Sequence, residues 1–249
     1  MSSDVIARTT APVLRMTDVV AGYYANDLVL DHVTLKVVPG RVTVVLGPNG
    51  SGKSTSLRIL SGFLDARSGS VLLDDEEISA LTPGQRLERG IAFMPQGRSI
   101  FPGLTVEENL RLGAWQLRGD RRRLDASVTA MFERYPRLAD LRNRTAGSLS
   151  GGQARQLEFG RTLILDPSVL LIDEPSAGLA PVLVDEVYDE IERLKTEGRT
   201  ILLVDQNVRA AVDLADYVYT LAYGRNHLEG ARDNFAGQLD KLIKQWLNL

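Results

Sequence analysis

The string GPNGSGKS at residues 47–54 fits the pattern GxxxxGK[ST], and each of its residue types suits the capture of a phosphate chain. Gly47, Gly50 and Gly52 let backbone N–H groups come close to phosphate oxygens, with Pro48, Asn49 and Ser51 completing the loop. The helix-compatible STSLRIL that follows would add the positive end of its dipole. Lys53 is placed to hold β- and γ-phosphates, and Ser54 to offer its hydroxyl to Mg²⁺, which prefers hard oxygen ligands; Thr55 is a further candidate phosphate contact. A second element of the same chemistry is VLLID at 169–173, which ends in Asp173 and is followed by Glu174. Ligands of open α/β sheets gather at the carboxyl ends of strands, so Asp173 is placed for the magnesium shell and Glu174 for the base that polarises the attacking water. General-base help of that kind contributes about 10² to 10⁴ in rate. A glycine turn and a solvated Asp-Glu turn are the plain alternatives.

Chemistry at those positions requires elements that hold them. Apolar runs at 42–46, 71–73, 91–94, 169–172, 201–204 and 217–221, with helical stretches between several of them, read as buried parallel strands of an α/β domain. Upstream, VLRMTDVVAGYY and LVLDHVTLKVV flank a polar turn and stop at the Pro39-Gly40 breaker, which suggests a mainly antiparallel β region over 12–40. The rhythm breaks over 97–152, where Leu124, Val128, Met131, Phe132 and Tyr135 fall on one helical face with no strand beside it, a helical insertion. Helical spacing returns at Val184, Val187, Ile191 and Leu194, and at Phe235, Leu239, Leu242, Ile243 and Trp246. Core packing accounts for all three stripes.

Composition bounds the rest. The 249 residues include 44% hydrophobic and 24% charged ones, enough for one large α/β domain or two small ones. With 29 basic against 32 acidic side chains the net charge is −3, which lacks the positive field of a protein that tracks nucleic acid. Without cysteine, disulfide, iron–sulfur and thiol chemistry are excluded. The first residues carry no signal-peptide core, and no apolar run approaches the roughly 20 residues of a membrane span.

Before another helix-forming stretch stands Leu149-Ser150-Gly151-Gly152-Gln153. LSGGQ, with GPNGSGKST and LLIDEP in this order, resembles the ATP-binding cassette family from about residue 12 to residue 225. The resemblance implies a P-loop NTPase of α/β class, with a RecA-like, mostly parallel sheet, flanking helices, an antiparallel β subdomain and a helical insertion. Residues 1–11 are then a flexible leader, 12–225 the cassette, and 226–249 a C-terminal tail with an amphipathic helix. ATP and Mg²⁺ are the implied ligands, bound in a sandwich dimer where one subunit's phosphate loop faces the other's LSGGQ. Ser150 is a natural N-cap, Gly151 and Gly152 would expose amides where a γ-phosphate docks, and Gln153 completes the motif. Gln96 matches the family glutamine that touches magnesium; Tyr23 matches the aromatic that stacks on adenine, with Tyr24 as the alternative register.

Two positions depart from the general family pattern. Gln206 stands where a histidine is usual, which predicts a γ-phosphate contact through an amide that cannot become cationic, and Ala180 replaces the aspartate after SxGL. PQGRSIFPGLTVEENL, DEPSAGLAP and LLVDQNVRAA resemble one subgroup, the ATP-binding subunits of bacterial branched-chain and hydrophobic amino acid importers; urea and short-amide importers share much of the pattern. The implied partners are a second cassette, a heterodimer being favoured over a homodimer, permease subunits near 97–112 through Arg98, Phe101 and Pro102, and indirectly a substrate-binding protein. The implied place is peripheral, on the cytoplasmic face of the bacterial inner membrane. A soluble cassette in DNA repair, chromosome organisation or translation fits less well, since the insertion is short and no basic bias exists. A phosphate-loop kinase or GTPase leaves LSGGQ unexplained.

Overall fold

The computed structural model describes residues 14–97 and 99–235. The expected leader, residues 239–246 of the expected tail helix, and Arg98 lie outside the described residues. The chain opens with β1 (Leu14–Ala21), β2 (Leu30–Val37) and β3 (Val42–Leu46), then α1 (Lys53–Ser61), the hairpin β4 (Ser68–Leu73) and β5 (Glu76–Glu77), α2 (Pro83–Glu88) and β6 (Ile91–Met94). Next come α3 (Val106–Gly113), α4 (Arg121–Arg134), α5 (Pro136–Ala139) and α6 (Gly151–Leu163). The last part alternates β7 (Val169–Asp173), α7 (Pro181–Thr196), β8 (Thr200–Val204), α8 (Val208–Leu214), β9 (Tyr217–Ala222) and β10 (Arg225–Ala231).

A six-stranded sheet in the order β10-β9-β3-β8-β7-β6 forms the centre, parallel throughout except for β10. All five residues of β3, of β7 and of β8 are buried, because both faces of the sheet are covered. Val42, Val44, Leu170, Ile172, Ile201 and Leu203 face one hydrophobic cluster with the helical insertion, α6, α7 and α8. Val45, Val169, Leu171, Leu202 and Val204 face a second, with Leu57 and Leu60 of α1 and the apolar faces of β1, β2 and β4. Each such side chain contributes about 1.5 to 3 kcal/mol by leaving water.

The antiparallel sheet, in the order β2-β1-β4-β5, is larger than the 12–40 stretch alone indicates. The run 71–73 is not a parallel strand: it lies in β4, paired antiparallel with β1. Asp74 and Asp75 take φ of 49° and 68°, two successive left-handed residues that turn the chain back into β5. The expected tail is also corrected at its start. Residues 226–231 belong to β10, an edge strand on β9, and Phe235 is buried in the first cluster.

The helical insertion stands on a narrow neck. Thr105 and Thr145 form an isolated antiparallel bridge, flanked by Val106 N–H to Arg144 O and Glu107 N–H to Arg142 O, both 3.0 Å. Thr105 starts α3 with a capping box to Glu108, and Asp120 caps α4 through Arg123 N–H. On α4, Val128 is buried and Leu124, Met131 and Phe132 pack against the same cluster, with Tyr135 buried just past the helix end.

Candidate active site

Parallel pairing fixes where the site must be. Val45 is level with Val204, Leu203 with Ile172, and Ile172 with Met94, so β3, β8, β7 and β6 all end at one edge of the sheet. The residues at or just past those ends are Gly47, Gln206, Asp173 with Glu174, and Gln96. Residues far apart in sequence meet because four strand ends are aligned.

After β3 the chain wraps tightly. Gly47 has φ of 151°, and a Cβ there would sit 2.3 Å from Leu221 O; Gly52, the N-cap of α1, has φ of 101° and would meet Leu30 Cδ2 at 2.5 Å. A side chain is excluded at both. Lys53 lies 95% buried, its ammonium donating to Gly47 O at 2.9 Å and Pro48 O at 3.0 Å across the loop. Burial pulls its pKa down, and the carboxylates of Glu174 and Asp173 oppose that shift. The Ser51 hydroxyl is buried without a hydrogen-bond partner, a donor inside the loop that a phosphate oxygen would satisfy.

Ser54 Oγ donates to Asp173 Oδ1 at 2.9 Å. Burial pushes the Asp173 carboxyl up to about 6, with the charge of Glu174 adding to the rise and Ser54, Arg58 and Lys53 opposing it. A carboxylate and a hydroxyl, both hard oxygens, one of them penalised when charged and uncompensated, fit a magnesium ion. Gln96, expected beside that ion, is turned elsewhere: its Nε2 donates to Glu174 Oε2 at 2.6 Å. Gln206 Nε2 donates to the same oxygen at 2.7 Å. Glu174 itself is buried and left-handed, with φ of 45°, held by its N–H to Val204 O at 2.7 Å. A non-glycine residue in that region costs about 1 to 3 kcal/mol and persists where surrounding contacts impose it, often at functional sites.

Of the two tyrosines, Tyr23 is 45% exposed, its hydroxyl 3.2 Å from Thr55 Oγ1 and its ring 5.7 Å from the Arg58 guanidinium. It therefore borders the phosphate loop. Tyr24 projects further, 80% exposed. The Thr55 hydroxyl is engaged with Tyr23 rather than turned to the loop.

Ser150, Gly151, Gly152 and Gln153 form the first turn of α6. Ser150 Oγ accepts from Gln153 N–H at 3.4 Å, while Gln153 Oε1 accepts from Ser150 N–H at 3.0 Å. The glycines also answer to packing: a Cβ on Gly151 or Gly152 would stand 3.1 or 2.9 Å from the Leu183 side chain of α7. Nothing in the LSGGQ string announces that constraint. Sequence reasoning also passed over Glu158 and Arg161 of α6, which grip the segment after Gln96. Glu158 is buried and accepts from Ser99 N–H at 2.8 Å; Arg161 donates to Ser99 O and lies 4.9 Å from the Phe101 ring centre. Phe101 is 46% exposed and Pro102 is exposed, so both are accessible in the segment expected to meet a permease.

The sequence profile of the family described as ABC transporter matches residues 30–177. Among curated relatives, the high-affinity branched-chain amino acid transport ATP-binding protein BraG of Pseudomonas aeruginosa is 39% identical, the match covering 84% of this chain and 88% of that one. The probable branched-chain amino acid transport ATP-binding protein LivF of Archaeoglobus fulgidus is 38% identical over 87% of this chain and 91% of its own. Among solved structures, an ATP-binding cassette of an ABC transporter in its ADP conformation superposes with a TM-score of 0.84 at 29% identity, covering 96% of this chain and all of that one.

Proposed function

This chain belongs to the ABC transporter family, whose ATP-binding subunits hydrolyse ATP, and on that premise we propose that it powers an importer of branched-chain or other hydrophobic amino acids. The observation that carries the cargo is the pair of relatives named for branched-chain amino acid transport, alike over more than four fifths of both chains. No helix among the described residues is long and apolar enough to cross a membrane. The working position is peripheral, at the cytoplasmic face of a bacterial inner membrane, against permease subunits that contact Phe101, Pro102 and their neighbours. A second cassette, preferentially a related but different chain, completes each site.

Lys53 gives up its contacts with Gly47 O and Pro48 O to take the β- and γ-phosphates, the amides of residues 47–54 wrap the phosphate chain, and Tyr23 stacks on adenine. Ser54 and Asp173 would hold magnesium, with Gln96 a further ligand once released from Glu174; such an ion would supply positive charge against the phosphate oxygens. Glu174 orients and deprotonates the attacking water, and Gln206 donates to the γ-phosphate. Both amides that now rest on Glu174 Oε2 must release it, which links the arrival of nucleotide to the freeing of the base. Ser150 and the amides of Gly151 and Gly152 serve the partner's nucleotide.

The test is copurification from native membranes in mild detergent, using Glu174→Gln with Mg-ATP to hold the closed dimer, followed by mass spectrometry. Two membrane subunits and a second cassette are expected, and the matching periplasmic protein should bind leucine, isoleucine or valine. Tight binding of urea or a short amide there would replace the cargo, and recovery of soluble partners alone would overturn the transport role.

A further inference from the structure

Asp205 is 2% exposed at the carboxyl end of β8, one residue before Gln206, and the mechanism above does not use it. Its Oδ1 accepts from the Ser176 hydroxyl at 2.7 Å and from Asn207 N–H at 2.9 Å; its Oδ2 lies 3.4 Å from Ser176 N. Ser176 stands two residues after Glu174. Four bridges therefore join the same two loops: Glu174 N–H to Val204 O, Gln206 Nε2 to Glu174 Oε2 and Ser176 Oγ to Asp205 Oδ1, each 2.7 Å, and the longer Ser176 N–H to Asp205 Oδ2 at 3.4 Å. The first is backbone and ties the loops at one point, about which they can still swing. The second is made by an exposed side chain with free torsions. The third is made by a short, buried carboxylate that also clasps the amide on the far side of Gln206, so it fixes both flanks of that residue at once.

We propose that Asp205, through Ser176, is a positioning residue that sets the reach of Gln206 to Glu174 and hence to the γ-phosphate. This rests on the reading of Gln206 as a phosphate contact and goes beyond it. A short hydroxyl-to-carboxylate bond is charge-assisted and stronger than a neutral pair, so its loss removes the tighter of the two links between Ser176 and Asp205 and leaves only the 3.4 Å backbone contact between them to hold the 205–207 turn against the Glu174 loop. Tyr188 of α7 closes the group, its hydroxyl 3.5 Å from Asn207 O, and burial and the neighbouring Asp205 carboxylate keep it protonated.

The experiment uses the full chain and two readouts. In the nucleotide-free protein, the side-chain amide signals of Gln206, assigned by their loss in Gln206→Ala, should move toward free-carboxamide positions in Ser176→Ala and stay in place in Ser176→Thr, which keeps the hydroxyl. In the membrane-extracted complex, Ser176→Ala should lower kcat about fivefold with KM for ATP within twofold. Adding it to Gln206→Ala should lower kcat no further. Unmoved amide signals in Ser176→Ala, or kcat losses that multiply in the double variant, would overturn the positioning role. Should Gln206→Ala leave turnover unchanged, the phosphate-contact reading falls instead, and the amide signals alone then decide the positioning. Asp205→Asn, whose Oδ1 carries no charge and whose Nδ2 would face Ser176 N–H where Oδ2 now accepts, is expected to move the amide signals as Ser176→Ala does.

Discussion

Asp173 binds its proton more tightly in the folded chain than an unfolded aspartate, which titrates near 3.9, because burial penalises the charged form. Between about pH 4 and about pH 6 the native state therefore holds more protons than the unfolded one, and stability from this group falls as pH rises through that window, by about 2 to 3 kcal/mol. The deficit persists at neutral pH in the nucleotide-free chain. Asp173→Asn removes it: thermal unfolding at pH 7.5 should occur several degrees higher, at about 2 to 4 °C per kcal/mol, and the two midpoints should converge as pH drops toward 4. The same variant should lose the added stabilisation that Mg-ATP gives the unaltered chain, since the carboxylate that would hold the ion is gone. Equal midpoints at pH 7.5 would refute the cause assigned to the shift. At this scale the sequence was informative where a fixed spacing forces a contact: Lys53, Ser54 and Asp173 follow from loop, helix and strand end. It was silent on Glu174's left-handed backbone and on the two amides that share its Oε2, because these depend on how β6, β7 and β8 stand beside one another.

Elements carry the site's link to its surroundings, and the segment between Gln96 and α3 is held from several sides. Asn109 of α3 is fully buried; its Oδ1 accepts from Phe101 N–H at 2.8 Å, and its Nδ2 donates to Phe101 O at 3.0 Å and Thr105 O at 2.9 Å. Asn109→Ala strips Phe101 N–H of its acceptor and opens the clamp, while Phe101 O keeps Leu104 N–H and Thr105 O keeps the backbone N–H of residue 109, at a cost of about 1 to 3 kcal/mol. Urea unfolding should show that loss, and the variant should recover less permease in copurification because Phe101 is no longer fixed. A midpoint equal to that of the unaltered chain would mean that solvent replaces the clamp at no cost. Strands such as VTVVL and TILLV were legible because burial on both faces leaves continuous apolar runs, and α4 because its stripe has one face. VLL at 71–73 has the same composition as a parallel strand, and only its pairing with β1 tells them apart. Residues 226–231 read as tail because an edge strand shows mostly polar side chains to solvent, six of the seven residues of β10 being partly buried or exposed and Gly230 alone buried.

The whole molecule presents both halves of a site that do not serve one nucleotide in the proposed sandwich. The phosphate loop ends β3, whereas Ser150 heads α6 on the insertion side, exposed, with its capping box facing solvent. A net charge of only −3 opposes pairing of two such chains weakly, so phosphate carried between them can act as the bridge. In the isolated protein a second copy is the one cassette on offer in place of the related chain, so Glu174→Gln with Mg-ATP should elute at twice the 27.3 kDa of one chain, and return to single mass with ADP, by light scattering. A signature variant must separate loss of the bridge from loss of fold. Replacing Gly151 or Gly152 would drive a side chain into Leu183, and Ser150→Ala would remove a helix cap. Ser150→Asp does neither, since aspartate caps a helix N-terminus about as well as serine, yet it sets a negative charge where the partner's γ-phosphate must arrive. In the Glu174→Gln background that change should leave the thermal midpoint within about 2 °C and keep the chain at single mass in Mg-ATP. A dimer that persists despite Ser150→Asp would mean that the subunits join through another surface and that LSGGQ does not close the partner's site.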